Sequence, residues 1–297
     1  MYRKGQNLRC FINGGLVGAE TNLTITRGVD TEDGQNKDLV GDSTAGTPSG
    51  QYPVPIWKNM TFQVEAQGTG AEDLFTRALA LMNSTGGSVG FGATDGDYNR
   101  DGSATGTFQA ICNDLAINGP NRQPVTCSAQ FTVISATATG SGSTAPAVET
   151  TILRGEFLRL FLTGQTPKYI GLATNVSLHL SLSLEDATTK DDTSSSTPGF
   201  KKQEAVTVNY DITSDCLYTG GLGGLSEGTI YAWELAPASG ANQQTKGTAI
   251  ASGNAMLTSL IENAPVAQNI TYSATFTGVG LLDQLTPAPS DNQSQET

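Results

Sequence analysis

Charge and aromatic rings are scarce in this chain. Only 15% of its 297 residues are Asp, Glu, Lys or Arg, against a usual ~25%, and aromatic residues make 7%. No run reaches the ~18–20 apolar residues of a membrane-spanning helix. After Met1-Tyr2-Arg3-Lys4 the chain turns to Gly5-Gln6-Asn7 rather than to the apolar core of a secretory leader. Neither a membrane partner nor a leader is therefore expected. The four cysteines, Cys10, Cys112, Cys127 and Cys216, include no Cys-x-x-Cys pair, which removes the zinc-ribbon and redox-motif readings. They are expected to be reduced thiols buried in strands. Basic residues number 16 against 28 acidic ones, a net charge of −12. Without a basic cluster the chain is ill-suited to grip nucleic acid, because binding needs Lys and Arg to displace counterions from phosphates.

What is abundant is glycine, 35 residues, together with Ser, Thr, Asn and Ala. Hydrophobic residues reach 37%, enough for thin β-layers and lean for a large helical enzyme core. The length suggests about two domains.

The sequence repeats itself. Leu8-Arg9-Cys10-Phe11-Ile12 recurs as Leu158-Arg159-Leu160-Phe161-Leu162, and Thr21-Asn22-Leu23-Thr24-Ile25 as Thr174-Asn175-Val176-Ser177-Leu178. Glu32-Asp33, followed by Lys37-Asp38, recurs as Glu185-Asp186 followed by Lys190-Asp191. Val125-Thr126-Cys127-Ser128-Ala129-Gln130-Phe131-Thr132 matches Ile270-Thr271-Tyr272-Ser273-Ala274-Thr275-Phe276-Thr277. Four collinear matches with drifting gaps predict two copies of one β-domain, at 1–135 and 151–285. A linker rich in Gly, Ser and Ala joins them at 136–150, and a flexible polar tail is expected at 286–297.

Within each copy the apolar period is two. Val176, Leu178, Leu180, Leu182 and Leu184 alternate with Ser177, His179, Ser181 and Ser183; Met60, Phe62, Val64 and Ala66 alternate with Thr61, Gln63 and Glu65. Each pattern is a strand with one buried face. Further strands are expected near 7–12, 88–93, 105–112, 125–135, 153–163, 204–213, 229–235, 247–251 and 270–278. One helix is expected at 71–83, with Leu74, Phe75, Ala78, Leu79 and Met82 as its stripe. The fold class is mainly β: two tandem sandwiches or small barrels, each with at most one covering helix. The segments 28–56 and 185–203 read as long polar loops.

Candidate chemistry is thin. His179, the single histidine, reads as an outward-facing strand residue, because no nucleophile elbow accompanies it. Asp97, Asn99 and Asp101, followed by Gly102, resemble the opening of a calcium loop, but Phe108 stands where the bidentate Glu belongs. A hairpin turn is the main reading there and weak calcium binding the secondary one. No cofactor and no catalytic residue is expected, and the chain does not read as an enzyme. The repeated acid–Lys-Asp segments, Glu32, Asp33, Lys37 and Asp38 with Glu185, Asp186, Lys190 and Asp191, read either as turn-closing ion pairs or as contacts to a neighbouring subunit.

The order of these features resembles the major tail (tail tube) proteins of long-tailed bacteriophages. They are an N-terminal strand, a Thr-Asn-x-Thr/Ser strand, the acidic Lys-Asp segment, a strand and helix, and a closing Ser-Ala-x-Phe-Thr strand. The resemblance covers most of 6–135 and of 156–282 and is carried mainly by Lys37-Asp38 and Lys190-Asp191. It implies a structural virion protein whose rings stack into a tube for double-stranded DNA. A double-copy chain would form a trimer acting as a pseudo-hexamer, with the loop 28–56 bracing the next ring. The partners implied are further copies of the chain, other tail proteins and passing genomic DNA. The place implied is the virion tail, assembled in the host cytoplasm. The rival reading is a surface adhesin or carbohydrate-binding β-sandwich, with calcium at Asp97, Asn99 and Asp101.

Overall fold

Alternation of apolar and polar residues dictates most of the secondary structure, because it gives a strand one face to bury and one to leave wet. The computed structural model describes residues 8–33, 53–83, 85–93, 106–137, 154–163, 173–188, 199–217, 225–239 and 245–285. The first half contains β1 (Leu8–Ile12), β2 (Gly15–Leu16), β3 (Glu20–Asp33), β4 (Pro53–Gln67), α1 (Thr69–Leu79), β5 (Gly87–Ala93), β6 (Gly106–Asn118) and β7 (Thr126–Thr137). The second contains β8 (Leu158–Leu162), β9 (Ala173–Asp186), β10 (Gly199–Phe200), β11 (Gln203–Leu217), β12 (Ile230–Ser239), β13 (Thr245–Lys246), β14 (Ala251–Asn263) and β15 (Thr271–Val279). The chain is mainly β, with a large antiparallel sheet and, among the described residues, one α-helix.

The pairings of the first half recur in the second. β1–β5, β5–β6, β6–β7, β7–β4 and β4–β3 correspond to β8–β12, β12–β14, β14–β15, β15–β11 and β11–β9, all antiparallel. The irregularities recur too. A register shift between Cys112 and Asp114 corresponds to one between Leu257 and Ser259. The shifts at Glu20/Asn22 and Asp30/Thr31 against β4 fall where β11 shifts against β9. Thr21 and Thr174, the residues stepped over, each donate an Oγ1 hydrogen bond of 3.2 Å to a backbone carbonyl of the partner strand, at Glu65 and Asp215. A bulge re-aims a strand and fixes its register.

The two halves do not stand apart. Asp114–Asn118 of β6 pair antiparallel with Ser177–Ser181 of β9, so the described strands form one hydrogen-bonded sheet. The sequence reading placed a separate sandwich or barrel in each half. The difference arises because β6 leaves β5 after Ala110 and so offers the rest of its margin to β9. A second joint lies beside it. β10 runs parallel to β4, the Phe200 ring lies 6.1 Å from that of Phe108, and Lys201 Nζ is 2.6 Å from Asp30 Oδ2. One apolar core runs through both halves, from Phe62, Phe75 and Phe131 to Ile212, Trp233 and Phe276.

Several sequence expectations shift. The helix covers 69–79, not 71–83; beyond it Leu81 and Met82 remain buried in a turn. That turn is closed by Asn83 Oδ1, which accepts from the backbone N–H groups of Thr85 and Gly86. Gly86 has φ +56°, and a Cβ there would meet Ala110 O at 2.2 Å, so only glycine fits. The segments expected as loops are partly strand, since β3 continues to Asp33, β4 starts at Pro53 and β9 continues to Asp186. Residues 155–157 form a 3-10 turn rather than strand. The strand expected at 247–251 instead begins at Ala251 and runs thirteen residues.

Candidate functional site

Eight strands lie side by side in the order β3, β4, β7, β6, β9, β11, β15, β14. One face of this run is the core side: Phe62, Val64, Ala129, Phe131, Leu115, Ile117, Leu178, Leu180, Ile212 and Phe276 are buried there. The register fixes what the opposite face carries. Thr24 and Thr26 of β3 lie opposite Gln63 and Thr61 of β4, which continue to Gln130 and Thr132 of β7. Gln130 meets Asp114, Asp114 meets Ser181, and Ser181 meets Asn209. In the neighbouring row Glu65, Ser128, Ala116, His179, Asp211 and Thr277 follow one another across six strands. Asp215 and Ser273, then Thr275 and Ser259, carry the face to its far margin.

The face is mostly polar, although the register also sets Trp57 opposite Asp30, Met256 opposite Thr277 and Ile261 opposite Ser273 on it. Short hydroxyl and amide side chains bond to one another across the strands. Ser177 Oγ and Thr213 Oγ1 are 2.5 Å apart, and Ser273 Oγ donates to Asp215 Oδ1 at 2.7 Å. His179 Nε2 lies 2.9 Å from Asp114 Oδ2, half-exposed, across the β6–β9 seam. The carboxylates include Asp30, Glu65, Asp114, Asp211 and Asp215, and Asp30, which accepts from Asn59 Nδ2, is paired with Lys201 at 2.6 Å. No residue that the pairing register puts on this face is Lys or Arg. The cations of the same strands, Arg27 and Lys58, stand on the alternate positions, and Arg27 lies over the Phe91 ring at 5.4 Å from its centroid. Apart from Lys201, which Asp30 holds at the β3–β4 end, such a surface offers an anion water-like hydrogen bonding and no positive charge to hold it.

The expected site residues fall in different places. Glu32 and Asp33 end β3, opposite Val54 and Pro53. Glu185 lies opposite Glu204 and Asp186 opposite Gln203, at the end of the β9–β11 ladder. These acids therefore belong to strand ends, not to the start of a loop, because the second bulge lets the ladder continue past it. Asp186 Oδ1 accepts from the Thr188 N–H at 2.9 Å, and the bonds from Thr188 hold its carboxyl below the usual range. Lys37, Asp38, Lys190 and Asp191 lie outside the described residues, as do Asp97, Asn99 and Asp101. The described ion pair of this region is Lys201 with Asp30 instead, and hydrogen bonding to Lys201 lowers the Asp30 carboxyl. Sequence reading missed it because only the fold brings β3 beside the chain leading into β11. All four cysteines are buried and unpaired. Among the described residues no group of three or more His, Cys, Asp or Glu side chains is arranged to hold a metal ion, and no helix is long and apolar enough to cross a membrane. No protein-family model matches the chain, and the comparison with curated proteins finds no match.

Proposed function

We propose that this chain is a structural, self-assembling protein whose copies close into rings and stack into a bacteriophage tail tube that double-stranded DNA passes through. The observation that carries the reading is the eight-strand polar face, on which no strand residue is Lys or Arg and the neighbouring Lys201 is held by Asp30. A genome sliding along a wall is slowed wherever cations displace its counterions and hold its phosphates, and a wall made mainly of hydroxyls, amides and carboxylates offers little such hold.

The reading takes the chain as two tandem copies of one tail-tube-like domain. The repeated pairings, the three repeated bulges and the paired Thr21 and Thr174 hydrogen bonds support it. Each copy gives the face four strands. Three chains then supply about 24, which at ~4.8 Å spacing and ~40° tilt make a circumference of about 150 Å and a backbone diameter of about 48 Å. Side chains reduce the bore to about 35–40 Å, against about 20 Å for a DNA duplex.

Purified protein, concentrated and imaged by negative stain, tests the proposal. Rings or tubes with an open bore are expected. A protein that stays monomeric at every concentration and binds glycans or calcium instead would overturn it in favour of the adhesin reading.

A further inference from the structure

The sheet has one seam inside the chain, β6 on β9, and the repeat places a copy of each side of that seam at an outer margin. The outer counterpart of Asp114–Asn118 is Ser259–Asn263 of β14. It follows the same bulge, and none of the described strands pairs with it on that side. The outer counterpart of Ser177–Ser181 is Thr24–Gly28 of β3, which pairs with β4 alone. We propose that these two margins join between copies of this chain in the register of the inner seam. Ser259 then lies opposite Gly28, Ile261 opposite Thr26 and Asn263 opposite Thr24 of the neighbouring copy. This deepens the assembly reading, on which it rests for its partner, a second copy of the chain.

Three observations carry it. The margin is already shaped for the joint. The turn after β14 repeats the turn after β6, with Ala267 and Arg122 both at φ 61° and with Gln268 N–H on Pro265 O as Gln123 N–H is on Pro120 O. At the inner seam Gly119 and Asn121 N–H donate to Val176 and Thr174 carbonyls at 2.8 and 2.9 Å. The outer joint gives the same task to Ala264 and Val266, against Leu23 and Thr21.

Second, both margins expose apolar groups. Leu182 is 6% exposed while Val29, its counterpart, is 50% exposed, and Ile261 is 60% exposed. Exposed apolar side chains on an open strand margin are a template for pairing with another chain.

Third, the charges match. On the core side the inner seam sets Leu115 against Leu180 and Ile117 against Leu178, all fully buried. The outer joint sets Leu260 against Arg27 and Glu262 against Ile25, which puts Arg27 and Glu262 on a cross-strand diagonal within reach of long side chains. One charge on each margin discourages premature pairing of single margins of like kind and favours β14 on β3.

Disulfide trapping tests the register. A chain carrying Thr26→Cys and Ile261→Cys, oxidised under assembling conditions, is expected to give covalent closed oligomers. The pair Thr24→Cys with Ser259→Cys, four residues out of register, gives none, because the Cα atoms would lie well beyond the ~7 Å limit. Covalent oligomers without rings or tubes in micrographs would keep the joint and sink the tube. Tubes that form with no covalent product from the first pair, or with more from the second, would sink the joint and keep the tube. A charge swap guards against misfolding: Glu262→Arg should weaken assembly at least tenfold in critical concentration, and adding Arg27→Glu should restore it. Failure of the double variant to regain assembly while the single one loses it would count against the diagonal pair.

Discussion

The two halves pair their strands alike and fill them differently. In the first half, Met60, Val133, Phe108 and Val89 occupy positions that the register equates with Tyr210, Gly278, Gly253 and Trp233 in the second. Large has become small and small large, site by site. A Cβ on Gly278 would lie 2.6 Å from the Tyr210 ring, so the glycine exists to admit the tyrosine, whose ring lies tilted 5.7 Å from Trp233 and whose hydroxyl donates to Asn254 O. The first half instead gathers Phe62, Phe91 and Phe108 with centroids 5.8–6.3 Å apart. Backbone register is therefore the invariant of this architecture and side-chain volume is negotiable, provided that the sum is kept.

The largest effect should come from a position where the halves did not diverge. Phe131 and Phe276 are equivalent and both are buried, at 0% and 1% exposure. Replacing either with Ala should cost about 3–5 kcal/mol. In urea each variant should still unfold in a single transition, because the β6–β9 seam and the shared core couple the halves. Two separated transitions would show that each half melts alone.

Gly278→Val asks whether the volume exchange is real. Forcing a branched side chain into the Tyr210 ring should cost about 1–3 kcal/mol, and the companion change Tyr210→Met should recover most of it by importing the pairing of the first half. If the double variant is no better than the single one, the equivalence of Met60 and Tyr210 is wrong.

The same exchange explains what could be read in the sequence and what could not. The alternation of Val176 to Leu184 and of Met60 to Ala66 announces two strands at once, and the Thr-Asn repeat marks equivalent positions in the two halves, which the register shows to be bulges. β14 was misplaced because its buried positions are Ala251, Gly253, Ala255 and Leu257. Three of these four are too small to register as an apolar stripe, since the space they would fill belongs to Tyr210 and Trp233. The eight-strand face was hidden for another reason. Strand existence is local, but which margin meets which depends on β6 departing from β5 halfway along, and no short window of residues encodes that. That no Lys or Arg of these strands lies on the face became visible only once the register had sorted Arg27 and Lys58 onto the other side.

A smaller contrast concerns Glu20, whose counterpart is Ala173. Glu20 Oε2 accepts from the Cys10 N–H at 2.9 Å, which ties β1 to β3. Burial raises its carboxyl to about 7, with the Cys10 N–H and Arg9 opposing the shift. The folded protein therefore holds this proton over a range where the unfolded chain has lost it. Glu20 favours folding most below about pH 4.5 and progressively less as pH rises to about 7. Urea titrations across that window should show a downward slope in stability that Glu20→Gln flattens. An unchanged slope would assign the dependence elsewhere.

Thr21 and Thr174 should behave as twins. Replacing either with Val removes the 3.2 Å bond to the partner strand's carbonyl at a bulge. The expected cost is about 1 kcal/mol in each half.

The smallest effect expected is the most informative about joining. His179 and Asp114 face each other across the inner seam, 53% and 43% exposed, and their outer counterparts are Thr26 and Ser259. Changing Asp114→Ser and His179→Thr, singly and together, writes the outer margins into the inner seam. A half-exposed pair of this kind contributes about 0–1 kcal/mol and fades with salt. A double-mutant cycle in urea at low and high salt should therefore find a coupling below about 1 kcal/mol. What holds the seam is the backbone ladder and the buried Leu115, Ile117, Leu178 and Leu180 beneath it, and margins that lack the His179–Asp114 contact lose little by lacking it. A coupling above about 2 kcal/mol would mean that the inner seam depends on a contact the outer margins cannot make, and it would no longer serve as their template.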